Sequence, residues 1–241
     1  GYGLQRIIDK VVLPQRPKDQ WPMLVGFSDI TALHSLLSLH GVASLHANMC
    51  KDLSLLPDED IALSAEREFF MADTIPSPLS FTSHLLPLTY HPSPHHANVP
   101  YTIHHTSSSP LNRGGEVVGK LIGGNLSVLY GLQGTPYSLN KIIEQCEQPP
   151  ILFIEDISEN HYHIDRMLNS LRMSAVFDSI GGLVVGQFTD CADDPSMGCS
   201  LLESIRQVVD DYSFPILFDY PSGHIDSNYP LLLSADYLLS V

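Results

Sequence analysis

Short apolar runs and helical spacing alternate along this chain. Residues 23–27 form an apolar run suited to a buried strand. Between Ile30 and Leu37 the apolar side chains recur at helical spacing, and Gly41 sits where a glycine commonly ends a helix. A strand that feeds a helix through a tight turn is half of a βαβ unit, so the pattern predicts a parallel sheet.

The rest of the chain intermixes the two element types. Apolar runs predict strands at 116–122, 151–154, 182–186 and 215–218. Helical spacing predicts helices at 64–71, 126–132, 162–172 and 201–212. Strands and helices that mix throughout a chain are typical of the α/β class, and this is the fold class that we predict.

Residues 73–110 break this pattern. Seven prolines and six histidines fall there, and serine and threonine fill much of the remainder. The composition predicts a linker at 91–110 between an N-terminal unit (1–90) and a C-terminal unit (111–241). The six histidines also suggest a metal site, but prolines interrupt their helical spacing and no carboxylate lies among them, so we favour a solvated loop. They are His84, His91, His95, His96, His104 and His105.

Charge and cysteine content exclude several classes of protein. The 241 residues include 12 Lys and Arg and 27 Asp and Glu, which gives a formal net charge of −15. This negative charge repels nucleic-acid backbones. The four cysteines contain no C-x-x-C pair, which argues against a zinc ribbon or a disulfide scaffold. No stretch approaches the about 18 apolar residues of a membrane span, and no signal peptide opens the sequence. Together these features predict no nucleic-acid partner, no membrane partner and a reducing, cytoplasmic location.

Three polar residues follow predicted strands, where α/β sheets place their active sites. Ser28 begins the first helix as in part of a nucleophile elbow, although an N-capping serine looks the same in sequence. Glu155 ends an apolar strand and could orient a histidine or cap the next helix. His224 lies in a turn after a strand, where it could move a proton or be ordinary surface. The order Ser, acid, His is that of a known catalytic triad.

A glycine pair offers one further hypothesis. Gly123-Gly124-Asn125 follows a predicted strand and could cradle a phosphate at a helix N-terminus. The segment matches neither nucleotide-binding glycine motif, and close backbone packing explains the glycines equally well.

Taken in order, short motifs spread along the chain resemble the LD-carboxypeptidases (muramoyltetrapeptide carboxypeptidases), whose relatives include microcin C immunity proteins. The resemblance runs from Gly1 almost to the C-terminus, and the ordered set is specific although each motif is short. The motifs are Gly-Phe-Ser-Asp-Ile-Thr-Ala-Leu-His (26–34), Gly-Lys-Leu-Ile-Gly-Gly-Asn-Leu-Ser-Val-Leu (119–129), Gly-Thr-Pro-Tyr (134–137), Leu-Phe-Ile-Glu-Asp (152–156) with Ile164-Asp165-Arg166, Gly-Gly-Leu-Val-Val-Gly-Gln-Phe (181–188) and Gly-His-Ile-Asp-Ser-Asn (223–228).

The resemblance implies a catalytic triad of Ser28, Glu155 and His224. It also implies two oxyanion donors, the Asp29 N–H and a backbone N–H in the Gly1-Tyr2-Gly3 segment. Within that segment we predict Gly1 as the donor. The resemblance implies a metal-independent serine peptidase without cofactor that removes the terminal D-alanine from a peptidoglycan-derived tetrapeptide. It also implies a homodimer, and a partial Rossmann-like N-terminal domain joined by a linker to a smaller mixed β/α C-terminal domain.

Two departures from the family pattern affect these expectations. The family has further strands ahead of this point, so we expect the N-terminal sheet to be incomplete within this sequence. The family commonly reads His-Gly-Pro where this chain reads His46-Ala47-Asn48. That segment could shape the pocket, so this departure leaves the choice of substrate open. Two alternatives stay open: a microcin-immunity-type amide hydrolase using the same triad, and a degenerate homologue without catalytic activity.

Overall fold

The computed structural model describes residues 2–71, 101–104 and 108–241. Gly1 and most of the histidine-rich segment lie outside these ranges, so the oxyanion role of Gly1 and the loop interpretation of that segment stay predictions. The histidines outside the described residues are His84, His91, His95, His96 and His105.

The described residues form seven α-helices, of which two, at 50–53 and 139–143, were not predicted from the sequence. They are α1 (Thr31–Leu39), α2 (Cys50–Leu53), α3 (Ile61–Met71), α4 (Leu126–Gly131), α5 (Leu139–Ile143), α6 (His161–Met173) and α7 (Leu201–Val208). Helix α7 is shorter than predicted, and beyond its end the Arg113 guanidinium donates hydrogen bonds to the carbonyl groups of Val209 and Asp210, at 3.1 and 3.0 Å. These two carbonyls follow the last turn and are satisfied from outside the helix.

The same ranges contain strands of two to ten residues. They are β1 (Val25–Gly26), β2 (Ser44–His46), β3 (Tyr101–His104), β4 (Glu116–Asn125), β5 (Ile151–Ile157), β6 (Gly182–Thr189), β7 (Ile216–Leu217), β8 (Leu231–Leu233) and β9 (Asp236–Ser240). Strand β3 lies inside the predicted linker, where it pairs in parallel with β9 and stacks Tyr101 on Tyr237 at 5.1 Å between ring centroids. The division of the chain into domains stays a prediction.

The larger sheet has the strand order β3-β9-β4-β5-β6-β7, and β4 to β7 run parallel. Residues 151–156 of β5 are all buried, as expected for a central parallel strand covered on both faces. The carboxyl ends of β4, β5 and β6 therefore meet at one edge of the sheet. Asn125 and Glu155 lie at this edge. The segment that carries His224 follows strand β7.

The smaller sheet joins the two halves of the sequence. Strand β1 pairs in parallel with β2, and β2 pairs antiparallel with β8 from the C-terminal region. One face of the larger sheet packs on this small sheet through residues such as Leu45, Phe153 and Leu232. Its other face packs on α4 to α7 through residues such as Leu152 and Ile164. The mixed α/β class predicted from the sequence is confirmed.

Candidate active site

Ser28 lies on a sharp turn between β1 and α1. Its backbone φ is +63°, a left-handed conformation that a non-glycine residue adopts at a cost, and such strain is concentrated at functional sites. Gly26 has φ +149°, and a Cβ there would lie 3.1 Å from Ile30 Cγ1. A 3-10 turn over Ser28–Ile30 then runs into α1. The arrangement is that of a nucleophile elbow, in which Gly26 occupies the position where an added Cβ would crowd Ile30.

A buried histidine fixes this turn from behind. His34 Nε2 donates to the carbonyl oxygen of Gly26 at 2.9 Å, so Nδ1 accepts the hydroxyl proton of Ser44 at 2.8 Å. Burial, and then the proximity of His46, lower the pKa of His34 to about 3. The imidazole is therefore neutral at ordinary pH and serves as a structural support for the elbow.

Glu155 lies near the end of β5, where the pairing with β6 shifts register between Ile154 and Asp156. The side chain is fully buried, and its Oε2 lies 2.7 Å from Nδ1 of His224, whose side chain is 13% exposed. Burial raises the pKa of Glu155, but the hydrogen bond to His224 and the proximity of His46 outweigh it and leave the pKa below its usual value. The carboxylate is therefore ionised and orients the imidazole.

The loop carrying His224 is held by its own neighbours. Asn228 Oδ1 accepts the Gly223 N–H at 2.9 Å and the Ser222 hydroxyl lies 3.0 Å from the same oxygen. The Phe27 ring packs edge-on against the His224 ring at 4.8 Å between centroids. Since Phe27 directly precedes Ser28, this contact docks the histidine loop on the elbow.

Two clefts meet at His224. The first, of about 580 Å³, is lined by Ser28, Asp29, Arg6, Ser127 and His224, together with other residues. The second, of about 550 Å³, shares His224 and Ile157 with the first. Ser28 and His224 thus line one cavity, but no hydrogen bond joins their side chains in this structure. Catalytic hydrogen bonds are often long before substrate binds.

The predicted oxyanion donors have partly defined positions. Asp29 follows Ser28 in the 3-10 turn, and its Oδ2 accepts the Leu4 N–H at 3.1 Å. This bond brings the N-terminal segment to the elbow, and Gly3 of that segment lines the first cleft. Gly1 is outside the described residues.

The floor of the first cleft is a polar cluster that the sequence did not reveal. Asp156 accepts hydrogen bonds from Asn125 Nδ2 at 3.0 Å, from Ser127 N and Oγ at 2.9 and 2.6 Å, and from Ile157 N at 2.9 Å. Burial is the main cause that raises the pKa of the Asp156 carboxyl. The adjacent carboxylates of Glu155 and Asp156 were the one signal available in the sequence, and this pair does not indicate which carboxylate faces the histidine.

Close packing accounts for Gly123 and Gly124. Both have positive φ at the end of β4, and a Cβ would lie 2.0 Å from the Phe153 carbonyl oxygen at the first and 2.6 Å from Thr31 Oγ1 at the second. Thr31 Oγ1 accepts the Asn125 N–H at 3.0 Å, which fastens α1 to this strand. The phosphate hypothesis receives no support from this geometry.

Two other kinds of feature are absent from the described ranges. No group of three or more His, Cys, Asp or Glu side chains in residues 2–71, 101–104 and 108–241 could hold a metal ion. Among the helices of those same ranges, none combines the length and apolar character that crossing a bilayer requires.

Gly223→Ala is expected to disrupt the histidine and carboxylate pair. Gly223 has φ +136°, and an added Cβ would lie 3.1 Å from Glu155 Cβ and 3.2 Å from Glu155 Oε2. We expect a loss of about 1–3 kcal/mol in the free energy of unfolding and a loss of activity of about 100-fold, because a displacement of 1 Å can cost that much in rate. Chemical denaturation and steady-state kinetics would measure both.

A matched control separates backbone strain from the clash. Gly134 also has positive φ (+75°), but nothing lies within 4 Å of its added Cβ. Gly134→Ala is expected to introduce backbone strain without a clash and to leave activity unchanged. Equal activity losses in the two variants would contradict the account of Gly223.

Two family models match this chain. The model of the LD-carboxypeptidase C-terminal domain matches residues 118–239, and that of the N-terminal domain matches residues 1–47. The first match covers half of the chain, and the two lie in the family's order. This chain belongs to the LD-carboxypeptidase family.

Curated relatives cover nearly all of this chain. A protein described as "Probable murein peptide carboxypeptidase" from Bacillus subtilis is 30% identical over 98% of the chain and 65% of its own length. The murein tetrapeptide carboxypeptidase of Pseudomonas aeruginosa is 30% identical over 93% of the chain and 64% of its own length. The chain thus spans just under two thirds of these relatives.

Solved structures share the fold. A muramoyltetrapeptide carboxypeptidase from Oxalobacter formigenes matches with a TM-score of 0.71 at 22% identity, over 100% of this chain and 72% of that one. The microcin C7 self-immunity protein MccF in its wild-type apo state matches with a TM-score of 0.62 at 20% identity, over 89% of this chain and 63% of that one. Both likenesses concern the fold alone.

Proposed function

We propose that this protein is a serine-type LD-carboxypeptidase that removes the terminal D-alanine from a peptidoglycan-derived tetrapeptide. The observation that carries the proposal is the 2.7 Å hydrogen bond between His224 Nδ1 and Glu155 Oε2, beside a cleft that Ser28 also lines. A buried carboxylate that fixes one imidazole nitrogen leaves the other free to accept a proton from a serine hydroxyl.

In the proposed reaction, Ser28 Oγ attacks the carbonyl carbon of the scissile amide while His224 Nε2 takes the hydroxyl proton. The Asp29 N–H and an N–H of residues 1–3 stabilise the oxyanion of the tetrahedral intermediate. His224 then gives its proton to the amine of the departing D-alanine, leaving an acyl ester on Ser28. A water molecule, deprotonated by the same imidazole, hydrolyses this ester.

The two clefts suit a peptide that extends on both sides of His224. Arg6 is the one lysine or arginine among the described residues that line either cleft, and it forms no ion pair within the described part of the chain. It could bind the carboxylate of the terminal residue. The second cleft carries Asp52, Asp60 and Asp226, which suits a substrate side chain ending in an amino group. The homodimer and the cytoplasmic location stay predictions.

Incubation with a muropeptide tetrapeptide, followed by chiral analysis of the released amino acid, tests the proposal. We expect D-alanine and the tripeptide as the two products. MccF gives the second candidate substrate, since one of its structures is a complex with aspartyl sulfamoyl adenosine. Faster hydrolysis of an aminoacyl-nucleotide conjugate than of the tetrapeptide would replace the proposal by the immunity-type activity, and hydrolysis of neither would favour a degenerate homologue.

Arg6→Met is expected to weaken the binding of the terminal carboxylate. Methionine keeps much of the length of the side chain but removes the charge, so KM should rise about tenfold or more with a smaller change in kcat. Steady-state kinetics on the free acid and on the C-terminal amide would show this, because the wild type should prefer the acid and Arg6→Met should not. Arg16→Met, an exposed arginine that lines neither cleft, is the matched control. An unchanged preference for the acid in Arg6→Met would exclude this role.

A further inference from the structure

The catalytic carboxylate has a second imidazole beside it. His46, at the end of β2, is fully buried, and its Nε2 lies 4.0 Å from Glu155 Oε1. The other carboxylate oxygen, Oε2, is the one that holds His224. Glu155 therefore lies between two histidines, each facing a different oxygen.

The two facing atoms share an unusual property. Neither His46 Nε2 nor Glu155 Oε1 has a hydrogen-bond partner, although both are buried. Buried polar atoms in folded proteins are nearly always satisfied, and an unsatisfied one is costly. The distance of 4.0 Å between the two atoms is only about 1 Å longer than an N–H···O hydrogen bond. A small rotation of either side chain would therefore join them in a hydrogen bond.

The surroundings of His46 indicate which way its protons point. The Ser222 hydroxyl has two carbonyl-type acceptors, the Tyr229 backbone oxygen at 2.9 Å and Asn228 Oδ1 at 3.0 Å. His46 Nδ1 lies farther away, 3.4 Å from Ser222 Oγ. This long contact does not decide which nitrogen of His46 carries the proton, so the facing carboxylate of Glu155 decides it. A proton on Nε2 would make the contact with Glu155 attractive, whereas two facing lone pairs would repel.

We propose that His46 is a positioning residue that donates its Nε2 proton to Glu155 Oε1 in the working enzyme, fixing the carboxylate that orients His224. His46 is fully buried and lines neither cleft, so it acts through Glu155. The inference rests on the proposed function, because it assigns a role within the same triad.

The other groups near this pair do not supply the same contact. Asp156 is next in the chain to Glu155, but its carboxylate binds Asn125 and Ser127. His34 lies behind His46 at 6.2 Å between ring centroids, and both of its nitrogens are engaged with Ser44 and the Gly26 carbonyl. Phe27 and Phe153 line the remaining sides of the His46 ring. Among the described residues, His46 and His224 are thus the proton donors that face Glu155.

A pair of amide substitutions tests the role. In His46→Asn the amide reaches the position of Nδ1 and leaves nothing at Nε2, whereas in His46→Gln it reaches the position of Nε2. For the asparagine variant we expect kcat to fall about tenfold, the acidic limb of the rate profile to move up by about one pH unit, and KM to stay nearly constant. The glutamine variant should recover most of both losses.

Proton NMR of the resting protein gives a readout that does not depend on turnover. The downfield proton on His224 Nδ1, held by Glu155, should persist in His46→Gln and shift upfield or disappear in His46→Asn. Thermal unfolding of both variants would measure the packing loss that they share. Equal behaviour of the two variants in rate profile and in NMR would overturn the proposal. If the wild type released no D-alanine, the proposed function would fail, while the NMR comparison would still decide the role of His46.

Discussion

Ser28→Ala is expected to lower kcat/KM for tetrapeptide hydrolysis by about 10⁴-fold or more, since loss of the nucleophile from a serine triad has effects of that size. The substitution removes one hydroxyl from a half-buried side chain at the elbow. Alanine also has to adopt φ +63°, so we expect a small loss of stability and no change in fold. Release of D-alanine, followed by chiral chromatography, measures the effect.

Ser35→Ala is the matched control for this variant. Ser35 lies on α1 close to the elbow, and its buried hydroxyl has no hydrogen-bond partner. Its removal should leave the activity intact and the stability unchanged or higher. Activity of Ser28→Ala within tenfold of the wild type would remove Ser28 from the mechanism.

Glu155→Gln is expected to lower kcat by about 10³–10⁴-fold with little change in KM, as for other triads in which the acid becomes an amide. Glutamine keeps the shape of the side chain but can no longer stabilise the imidazolium that forms when His224 takes the serine proton. It can also present an N–H to His224 Nδ1 and so favour the wrong tautomer. Steady-state kinetics at several pH values would measure the loss.

The same substitution has a predicted effect on stability that depends on pH. The pKa of Glu155 is lowered in the folded protein, so its ionisation contributes stability above the unfolded-state pKa of about 4.3. That contribution disappears as pH falls through the lower, folded-state pKa. The difference in unfolding free energy between the wild type and Glu155→Gln should thus be constant above about pH 5 and become less favourable to the wild type below about pH 4.

An exposed carboxylate provides the control for both measurements. Glu144 forms an ion pair with Lys141 at the surface, at 2.8 Å. Glu144→Gln should change neither the rate nor its pH profile, because exposed pairs contribute little. A stability difference for Glu155→Gln that did not vary with pH would contradict the ionised state assigned to the buried carboxylate.

The sequence predicted the elements whose signals are local. Buried strands such as β5 and β6 appear as continuous apolar runs, and α6 shows regular spacing. Strand β3 was missed because its pairing with β9 joins positions far apart in the chain, and its neighbourhood is rich in proline. Such a strand is defined by its partner rather than by its own residues.

The candidate site likewise contains residues that the sequence predicted and residues that it did not. Glu155 and His224 were predicted from their positions after strands and from the family resemblance, and the structure brings them together. The Asp156 cluster and Arg6 were not identified, and His46 was noted only within a departure from the family pattern, since the role of each depends on contacts between residues far apart in sequence. His46 in particular occupies an ordinary position at the end of a short strand. Its relation to Glu155 exists only once the two sheets have packed.

Trapping the acyl-enzyme tests the central claim most directly. The protein would be mixed with tetrapeptide, quenched in acid within milliseconds, digested and analysed by mass spectrometry. We expect the tripeptide acyl group on the peptide that contains Ser28, attached to that serine, and absent from Ser28→Ala. An acyl group on another side chain, or release of D-alanine at the wild-type rate by Ser28→Ala, would contradict the proposed mechanism.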